Sequence, residues 1–397
     1  MYLNNSKGNF SDGWQPDSGK LIGQDKAANR LWLQRLTAFV LMLLPVLAVY
    51  FLAKPVEAPV FRTPTVHLSA DSVWQESAFD QPEVRSVHAS FVVNLPDNIQ
   101  GLFWFGGSRE GHRDVQIYRA LMQDGKMIAP PSAVLSASML ADLSYRYIKK
   151  LGNPVLSFVN NTLYLWVVNV SVGGWATARV DLLSSQDLGA NFGYLKSLRL
   201  SPFFNQSTLV KTRPVPMEQG LLLPAYFEMN RLDPVMIYFD AEMALRSSHT
   251  LAMDAIQPVV VVDSGQSANV FARPNDQGFI QNGQLYLDSD SWQSADLSGM
   301  SNASSDLSIV RLSATELLMA HNPAPDRSLL LLSLSQDNGQ TWQRVKVIEQ
   351  SSGERFSYPS MVLGKGGFVH LSYTNKREFI NYVRFTVASL NLAEELL

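Results

Sequence analysis

The chain of 397 residues is longer than one ordinary domain, but single all-β propellers and barrels also reach this length. Charged residues make up 17% of it, against about 25% in an average soluble protein, and the net charge of −3 comes with no run of Lys or Arg. This excludes a basic nucleic-acid surface. The absence of Cys, with only six His and no HExxH motif, gives no reason to expect a metal site or any other cofactor.

The first predicted element is an apolar helix near the amino terminus. Residues 36–53 are eighteen residues without a charge, about 27 Å of helix, which spans a hydrocarbon core of about 30 Å if Leu31 to Leu33 contribute. Five Lys or Arg residues precede this run, so the positive-inside rule keeps residues 1–30 as a cytoplasmic tail and exports the rest. We expect a single-pass signal anchor at residues 31–54 in the cytoplasmic membrane, with the carboxy-terminal domain on the periplasmic side. A cleaved signal peptide and a buried core helix are the alternatives.

After a linker at residues 55–74, short apolar runs alternate with turn residues. Leu163–Ser171, Leu329–Ser335 and Phe368–Thr374 are rich in Val, Leu, Tyr and Phe, which is typical of β-strands. No helix follows each strand in turn, which excludes a parallel α/β sheet. The single good helix candidate, Ser136–Lys150, interrupts the series as an insertion. Residues 75–390 are therefore predicted to form one all-β domain.

A repeated motif indicates which all-β architecture this is. Residues 335–342 read S-x-D-x-G-x-T-W, and residues 185–192 repeat the pattern at the same spacing with Asn-Phe in the last two positions. In such a turn, Asp accepts hydrogen bonds from its own backbone, Gly takes a positive φ, and the aromatic residue packs between sheets. The copies lie 150 residues apart, which equals three units of about 50, the size of a four-stranded propeller blade.

This motif resembles the Asp box of the sialidase (neuraminidase) superfamily, in its bacterial Asp-box (BNR) repeat branch. The resemblance covers residues 75–388 and implies a six-bladed β-propeller closed by an early strand, near residues 60–80, that pairs with the last strand. It also implies an exo-acting glycosidase that binds a sugar carboxylate through three arginines, because guanidinium groups are planar, permanently charged, bidentate donors. Arg109, Arg273 and Arg327 match the family's arginine positions best.

The resemblance also indicates the catalytic candidates. Tyr358 matches the family's nucleophile, since a neutral Tyr is not repelled by an anionic sugar as a carboxylate would be. Asp114 and Glu110 are the acid/base candidates in the first-blade loop. Two positions differ from the family pattern, because His88 stands where the family has an arginine and Gln257 where it has the glutamate that activates Tyr. Glu228, after an apolar strand, is the carboxylate that we expect to replace Gln257 as the base.

Further substrate-binding candidates are His88, Lys150 and Asn153, which face the axis if their segments begin inner strands. Each candidate has a structural alternative: His88 and Tyr358 as core side chains, and Lys150 as a cation at a helix end. Two functions follow. The first is a membrane-anchored, sialidase-like exo-glycosidase acting on a terminal acidic sugar. The alternative is a non-catalytic carbohydrate-binding propeller in envelope polysaccharide assembly.

Overall fold

The computed structural model describes residues 30–44, 59–81, 83–200, 207–229, 232–275, 278–287, 291–302 and 304–390. The chain divides into two compact units, Met1–Glu57 and Ala58–Leu397. In the first unit, the described part is a helix at residues 30–44, α1, whose large apolar side chains are exposed. Within the described ranges, no helix is long and apolar enough to span a bilayer. The rest of the predicted anchor, residues 45–54, and residues 1–29 of the predicted tail lie outside these ranges.

The second unit contains six antiparallel sheets, and the first half of the chain builds three of them. Strand β1 (Trp74–Phe79) comes first, and the next four strands form blade 1: β2 (Ser86–Asn94), β3 (Ile99–Gly107), β4 (Gln116–Gln123) and β5 (Lys126–Ser136). Helix α2 (Ala137–Ser144) leads to blade 2: β6 (Lys150–Val159), β7 (Thr162–Val170), β8 (Arg179–Ser185) and β9 (Gly193–Ser197). Blade 3 has five strands: β10 (Thr208–Val210), β11 (Val215–Met217), β12 (Gly220–Phe227), β13 (Pro234–Phe239) and β14 (Leu245–Thr250).

The second half of the unit builds the other three blades. Blade 4 contains β15 (Ala255–Val262), β16 (Ser267–Pro274), β17 (Gly278–Tyr286) and β18 (Ser291–Asn302). Blade 5 contains β19 (Ser308–Arg311), β20 (Leu317–His321), β21 (Leu329–Ser335) and β22 (Gln343–Gln350). Blade 6 contains β23 (Phe356–Leu363), β24 (Val369–Asn375) and β25 (Phe379–Phe385), with β1 as its fourth strand. The predicted six-bladed propeller is confirmed.

Pairing of the two ends of the domain closes the ring. Strand β1 runs antiparallel to β25, with Trp74 opposite Phe385 and Phe79 opposite Ile380. This confirms the predicted closure by an early strand. Closure leaves every blade packed between two neighbours, so that mostly apolar sheet faces bury each other around the axis.

The predicted helix Ser136–Lys150 is shorter than its sequence suggests. Ser136 caps the amino end by accepting a hydrogen bond from the Met139 N–H, and the helix ends at Ser144. Tyr145 follows with φ of 52°, a left-handed conformation that terminates a helix. Lys150 consequently starts strand β6 and is not a cation at a helix end.

Candidate functional site at the propeller axis

The first strands of four blades carry a bulge near their starts. Pairing with the second strand of the blade breaks in β2, β6, β15 and β23, between residues 88 and 91, 151 and 154, 256 and 259, and 357 and 360. At three of these bulges a non-glycine residue has a positive φ: Ala89 (54°), Gln257 (53°) and Tyr358 (54°). This backbone conformation is unfavourable for residues with a Cβ, and bulges commonly redirect side chains at functional sites. The strands thus redirect side chains at one end of the axis.

A cavity of about 170 Å³ lies beside these bulges, and we call it the axial cavity. Five of the ten site residues predicted from the sequence line it: Glu110, Asn153, Glu228, Arg273 and Tyr358. Other lining residues include Trp175, Tyr226 and Gln257. The lining comes from loops and strands of blades 1, 2, 3, 4 and 6. The propeller therefore brings together residues that are far apart in the sequence.

Two arginines meet at a single serine beside the cavity. Ser304 Oγ accepts hydrogen bonds from Arg273 Nε (3.3 Å) and Nη2 (3.1 Å), and the Ser304 carbonyl accepts one from Arg327 Nη2 (2.8 Å). Arg273 Nη1 donates to Gln257 Oε1 at 3.0 Å. These acceptors are all neutral, and among the described residues neither arginine forms an ion pair with a carboxylate. Burial lowers the pKa of Arg327, and the nearby charges of Arg273, Arg355 and Arg377 lower it further.

His88 lies close to these arginines but does not supply a permanent charge. Its ring is 2% exposed, and its Nε2 lies 3.9 Å from Glu110 Oε2. Burial holds the pKa of His88 well below its usual value, and Arg377, Arg327 and Lys211 add to the effect. The imidazole is therefore neutral near pH 7 and does not replace the family's arginine in charge.

Arg377 lies near His88 and forms an ion pair with Glu110 of the cavity lining, and the sequence analysis did not single it out. Its Nη2 donates to Glu110 Oε2 at 2.9 Å, and its carbonyl accepts a hydrogen bond from the Val87 N–H. Lys376 and Arg377 form the tight turn between β24 and β25, with φ of 57° and 64°. The sequence feature that could have indicated Arg377 is the Lys-Arg pair in the hairpin of blade 6. Ring closure places this hairpin beside β2.

Tyr358 projects from its bulge into the axial cavity. Its ring stands edge-on to the His88 ring at a centroid distance of 4.5 Å, and Lys211 Nζ lies 5.4 Å from the Tyr358 centroid. Burial raises the pKa of Tyr358; Arg273 opposes this rise, while Glu110 and Asp306 contribute to it. Within the described residues, the hydroxyl has no carboxylate as a hydrogen-bond partner. The phenol is therefore protonated at neutral pH.

Gln257 links two other members of the site. Its Oε1 accepts from Arg273, and its Nε2 donates to the Tyr226 hydroxyl at 3.3 Å. A carboxamide takes no proton, so this position orients Arg273 and Tyr226 without acting as a base. Glu228, directly after β12, is the nearby titratable group, and desolvation raises its pKa against the opposing charge of Arg273.

Trp175 and Asn153 line the blade 2 side of the cavity, and Lys150 lies beside Trp175. Lys150 Nζ lies 3.9 Å above the Trp175 ring, and burial lowers the pKa of this lysine. Asn153 Nδ2 donates to the Val210 carbonyl at 3.2 Å. The sequence analysis did not include Trp175. Its signal was an aromatic residue after Gly173-Gly174, in the loop between β7 and β8.

Like His88, Lys150 and Arg327, the predicted site residues Asp114 and Arg109 do not line the cavity. Asp114 accepts hydrogen bonds from the Ser108 N–H, the Ser108 hydroxyl and His112 Nδ1, the last at 2.8 Å. Slight burial tends to raise the pKa of Asp114, but the bonds from His112 and Ser108 hold it below its usual value. Arg109 is exposed, in the same loop. In this arrangement Asp114 shapes the loop that carries Glu110.

Comparisons with known proteins agree with this architecture. The family of BNR repeat-like domains matches residues 101–371, more than half of the chain. No curated protein matches the sequence.

Three solved structures illustrate the likeness of fold. A Hadza microbial sialidase has 12% identity and a TM-score of 0.57 over 77% of this chain and 66% of its own. A Trypanosoma rangeli sialidase in complex with 2,3-difluorosialic acid has 14% identity and a TM-score of 0.58 over 84% and 61%. The NanB sialidase from Streptococcus pneumoniae has 10% identity and a TM-score of 0.62 over 85% and 72%. This chain thus spans less than two thirds of the length of the first two, and at these identities the likeness concerns the fold.

Proposed function

Because the chain belongs to the BNR repeat-like family, within the sialidase-like superfamily, we propose that its axial cavity binds the terminal acidic sugar of a glycan. The pair of Arg273 and Arg327, both bound to Ser304 and neither neutralised by a carboxylate, carries this proposal. Half-buried guanidinium groups with neutral partners favour an anionic ligand, and their planar geometry suits a carboxylate. The Trypanosoma rangeli sialidase was solved with a sialic acid derivative, which supports the choice of ligand class.

The remaining lining suits the uncharged part of a sugar. Trp175 offers an aromatic face against which a sugar ring can pack. The Asn153 side chain and the Tyr226 hydroxyl offer polar groups for sugar hydroxyls. A cavity of about 170 Å³ suits one monosaccharide unit rather than a long chain, as expected for a terminal sugar.

Calorimetric binding of a free acidic sugar and its neutral methyl ester tests this function. We expect N-acetylneuraminic acid to bind at least about tenfold more tightly than the ester, because charge-assisted hydrogen bonds contribute about 1.5–3 kcal/mol. Arg327→Lys keeps the charge but loses the planar pair of guanidinium N–H donors, so N-acetylneuraminic acid should bind about tenfold more weakly. Arg179→Lys, on the exposed start of β8, is the matched control and should bind like the wild type. Equal affinity for acid and ester would contradict the proposal.

Hydrolysis of the bound glycoside is a second proposal, favoured by the acidic groups in the same cavity. Tyr358, Glu110 and Glu228 all line it, and a carboxyl group with a raised pKa, such as Glu228, is suited to proton transfer near neutral pH. In this scheme, Glu228 takes the proton of Tyr358 as its oxygen attacks the anomeric carbon. Glu110 protonates the departing glycan oxygen. Water then attacks the anomeric carbon and gives its proton to Glu110, while Glu228 returns its proton to the Tyr358 oxygen as the sugar leaves.

Gln257 favours the alternative, a carbohydrate-binding propeller without turnover, because its carboxamide stands where a base would otherwise lie. A fluorogenic panel of acidic glycosides separates the two functions. An enzyme should lose turnover in Tyr358→Phe and in Glu228→Gln while sugar affinity stays within a few-fold. A binding propeller should show no turnover of any substrate in the panel while its affinity for the free acid persists. In both cases Gln257→Glu should weaken anion binding, because the new carboxylate would pair with Arg273.

We further propose that residues 31–54 anchor the propeller to the cytoplasmic membrane, with residues 59–390 outside the cytoplasm. The uncharged run of residues 36–53 and the exposed apolar side chains of α1 support this. A reporter active only outside the cytoplasm should work when fused after residue 70 and fail after residue 30. Activity of both fusions, or a mature chain that starts near residue 59, would contradict the anchor.

A further inference from the structure

A second cavity lies further along the same inner strands, at the other end of the axis. Gln257 and Tyr358 line the axial cavity. Residues that follow them on the same strands help to line the second cavity, namely 259–262, 359, 360, 362 and 363. We call it the far cavity, and its volume is about 400 Å³. This volume is within the range of small-molecule sites. The ion pair of Lys211 and Asp306 (3.0 Å) lies on the wall of the far cavity and close to Tyr358.

The far cavity is bordered by chain that is fixed in place. Residues 62–66, which precede β1, line it. The Phe61 N–H donates to the Gly265 carbonyl (2.8 Å), and the Arg62 N–H donates to the Pro216 carbonyl (3.1 Å). The Phe61 side chain is 1% exposed. These contacts hold the segment against blades 3 and 4, so the cavity has a defined wall.

The wall contains a guanidinium group without a counter-ion. Arg213 Nη2 donates to the carbonyls of Val92 (2.6 Å) and Met361 (3.0 Å), and its guanidinium lies 4.9 Å from the Phe91 ring centroid. In the part of the chain that the structure describes, Nε and Nη1 donate no hydrogen bond and no carboxylate pairs with Arg213. Burial lowers the pKa of Arg213 to about 10, so the group stays charged at neutral pH. Arg213 is only partly exposed, and a partly desolvated charge without a counter-ion is unfavourable, so a bound anion would stabilise it.

Two other cations of the wall already have acidic partners. Lys211 pairs with Asp306, and Arg311 Nη2 lies 3.8 Å from Asp263 Oδ1. Arg62, at the exposed edge of the cavity, has no acidic partner among the described residues, so the charge that a ligand could neutralise within the wall lies at Arg213, with Arg62 at the edge. Around it the wall is apolar, with Phe91, Val259, Val261, Ile309 and Val362 among its members. An inorganic anion would leave this apolar surface exposed to water, whereas the hydrocarbon part of an organic anion would bury it.

We propose that the far cavity binds an organic anion with an apolar body, its acidic head on Arg213 and its hydrocarbon part against the valine-rich wall. This site is separate from the sugar site of the proposed function. The two sites are tested with different ligands, so failure of one proposal leaves the other intact.

The probes are octanoate, 1-octanol and inorganic phosphate, added to the full chain and followed by calorimetry. Octanoate should bind at least about tenfold more tightly than 1-octanol, which lacks the charge, and than phosphate, which lacks the apolar body. Arg213→Met should reduce octanoate affinity about tenfold or more and leave N-acetylneuraminic acid binding unchanged. Arg179→Met, outside both cavities, should retain octanoate affinity. Equal binding of octanoate and 1-octanol, or octanoate binding that survives Arg213→Met, would overturn the proposal.

Arg213→Lys serves if the methionine variant does not fold. It keeps the charge but loses the planar fork, and octanoate affinity should fall several-fold. A crystal structure with octanoate gives a measurement on the wild-type chain. Its carboxylate should lie within hydrogen-bond distance of Arg213, and a carboxylate bound elsewhere would refute the site.

Discussion

The Asp-box turns and the bulged inner strands both hold polar side chains in place. The turns do so with hydrogen bonds to nearby residues, and the inner strands with hydrogen bonds to residues far away in the sequence. In the turn after β21, Ser335 Oγ accepts from the Gly339 N–H (2.8 Å), and Asp337 Oδ1 accepts from the Thr341 N–H (2.8 Å). The turn after β8 repeats both bonds at 2.9 and 3.0 Å. In both copies, every one of these partners lies within an eight-residue segment.

The inner strands take their partners from other blades. The Ala89 N–H donates to Thr374 Oγ1 at 3.1 Å, and Gln257 contacts Tyr226 of blade 3 as well as Arg273 of its own blade. Their positive φ angles are unfavourable locally, so the assembled ring must maintain them. The two regions are therefore stabilised in different ways. Local sequence stabilises the Asp-box turns, and the stability of the whole propeller holds the axial site in its strained geometry.

The Asp boxes also stabilise the ring, since each one packs on the blade before it. Trp342 stands edge-on to Phe271 of blade 4 at 5.9 Å, and Phe192 stands edge-on to Phe103 of blade 1 at 6.3 Å. Phe103 and Phe271 are fully buried. The role predicted for the box aromatic residue, packing between adjacent sheets, is confirmed for Trp342, although the side chain is only partly buried.

The largest expected effect comes from removing one of these buried rings. Phe271→Ala should lower the free energy of unfolding by about 3–5 kcal/mol, because it leaves a cavity beneath the Asp box of blade 5. Phe103→Ala is the matched change beneath the blade 2 box and should cost a similar amount. Urea denaturation measures both. A loss below about 1 kcal/mol in both variants would show that the boxes do not couple neighbouring blades.

Gly339→Ala should have the next largest effect. An added Cβ would lie 2.6 Å from Phe271 Cζ, and the φ of 91° is strained for alanine. Strain and crowding together should cost about 2–4 kcal/mol. Gly353 has a similar φ of 80° with nothing within 4 Å of an added Cβ, so Gly353→Ala isolates the backbone cost of about 1–2 kcal/mol. Equal losses in the two variants would mean that the contact with Phe271 contributes nothing.

The difference between local and long-range partners also explains which features could be predicted from the sequence. The geometry of each Asp box is contained in eight consecutive residues, and the spacing of the two boxes predicted blades of about 50 residues. The resemblance to the sialidase superfamily implied six of them, which the structure confirms. The helix boundary was wrong because Tyr145 takes a left-handed cap that the apolar pattern does not reveal. Arg377 and Trp175 were missed because they reach the site from hairpin and loop positions that ring closure brings to the axis.

The bulges of the inner strands explain which positions of the axial site the sequence could indicate and which it could not. Gln257 and Tyr358 both precede a proline in the first strand of a blade, and Asn153 does the same in blade 2. This recurrence was a usable signal for the axial positions. Nothing local, however, predicts that Lys211 pairs with Asp306 from a different blade. Partners that far apart depend on the folded ring.

Asp187 provides a test, with a smaller and pH-dependent effect, of the local hydrogen bonds in the Asp-box turn after β8. Slight desolvation raises the pKa of Asp187, but hydrogen bonds from the Asn191 backbone and side chain and from Ser185 lower it to about 2. Since the folded pKa lies below the unfolded value of about 3.9, its contribution to stability is present above pH about 4 and is lost as pH falls through about 2. Asp187→Asn should cost about 1 kcal/mol or less at neutral pH, because the carboxylate is exposed. In urea denaturation, this cost should shrink across that acidic range, and a cost that stays constant with pH would contradict the role of the Asp187 carboxylate.

The smallest expected effect concerns Glu228 and the binding of an acidic sugar at the axis. Desolvation raises the pKa of Glu228, and an anionic ligand in the same cavity favours the protonated carboxyl still further. Acidification from about pH 7 to about pH 5 should therefore protonate more of the Glu228 carboxyl group and weaken its repulsion of the ligand, while the more acidic sugar carboxylate stays ionised. We expect N-acetylneuraminic acid to bind about threefold more tightly at the lower pH, a change of about 0.6 kcal/mol. Glu228→Gln should bind with the same affinity at both pH values, because no titrating carboxyl group remains at this position. Affinity that falls on acidification, or a slope that persists in Glu228→Gln, would show that Glu228 does not face the bound carboxylate and that the anion lies elsewhere along the axis.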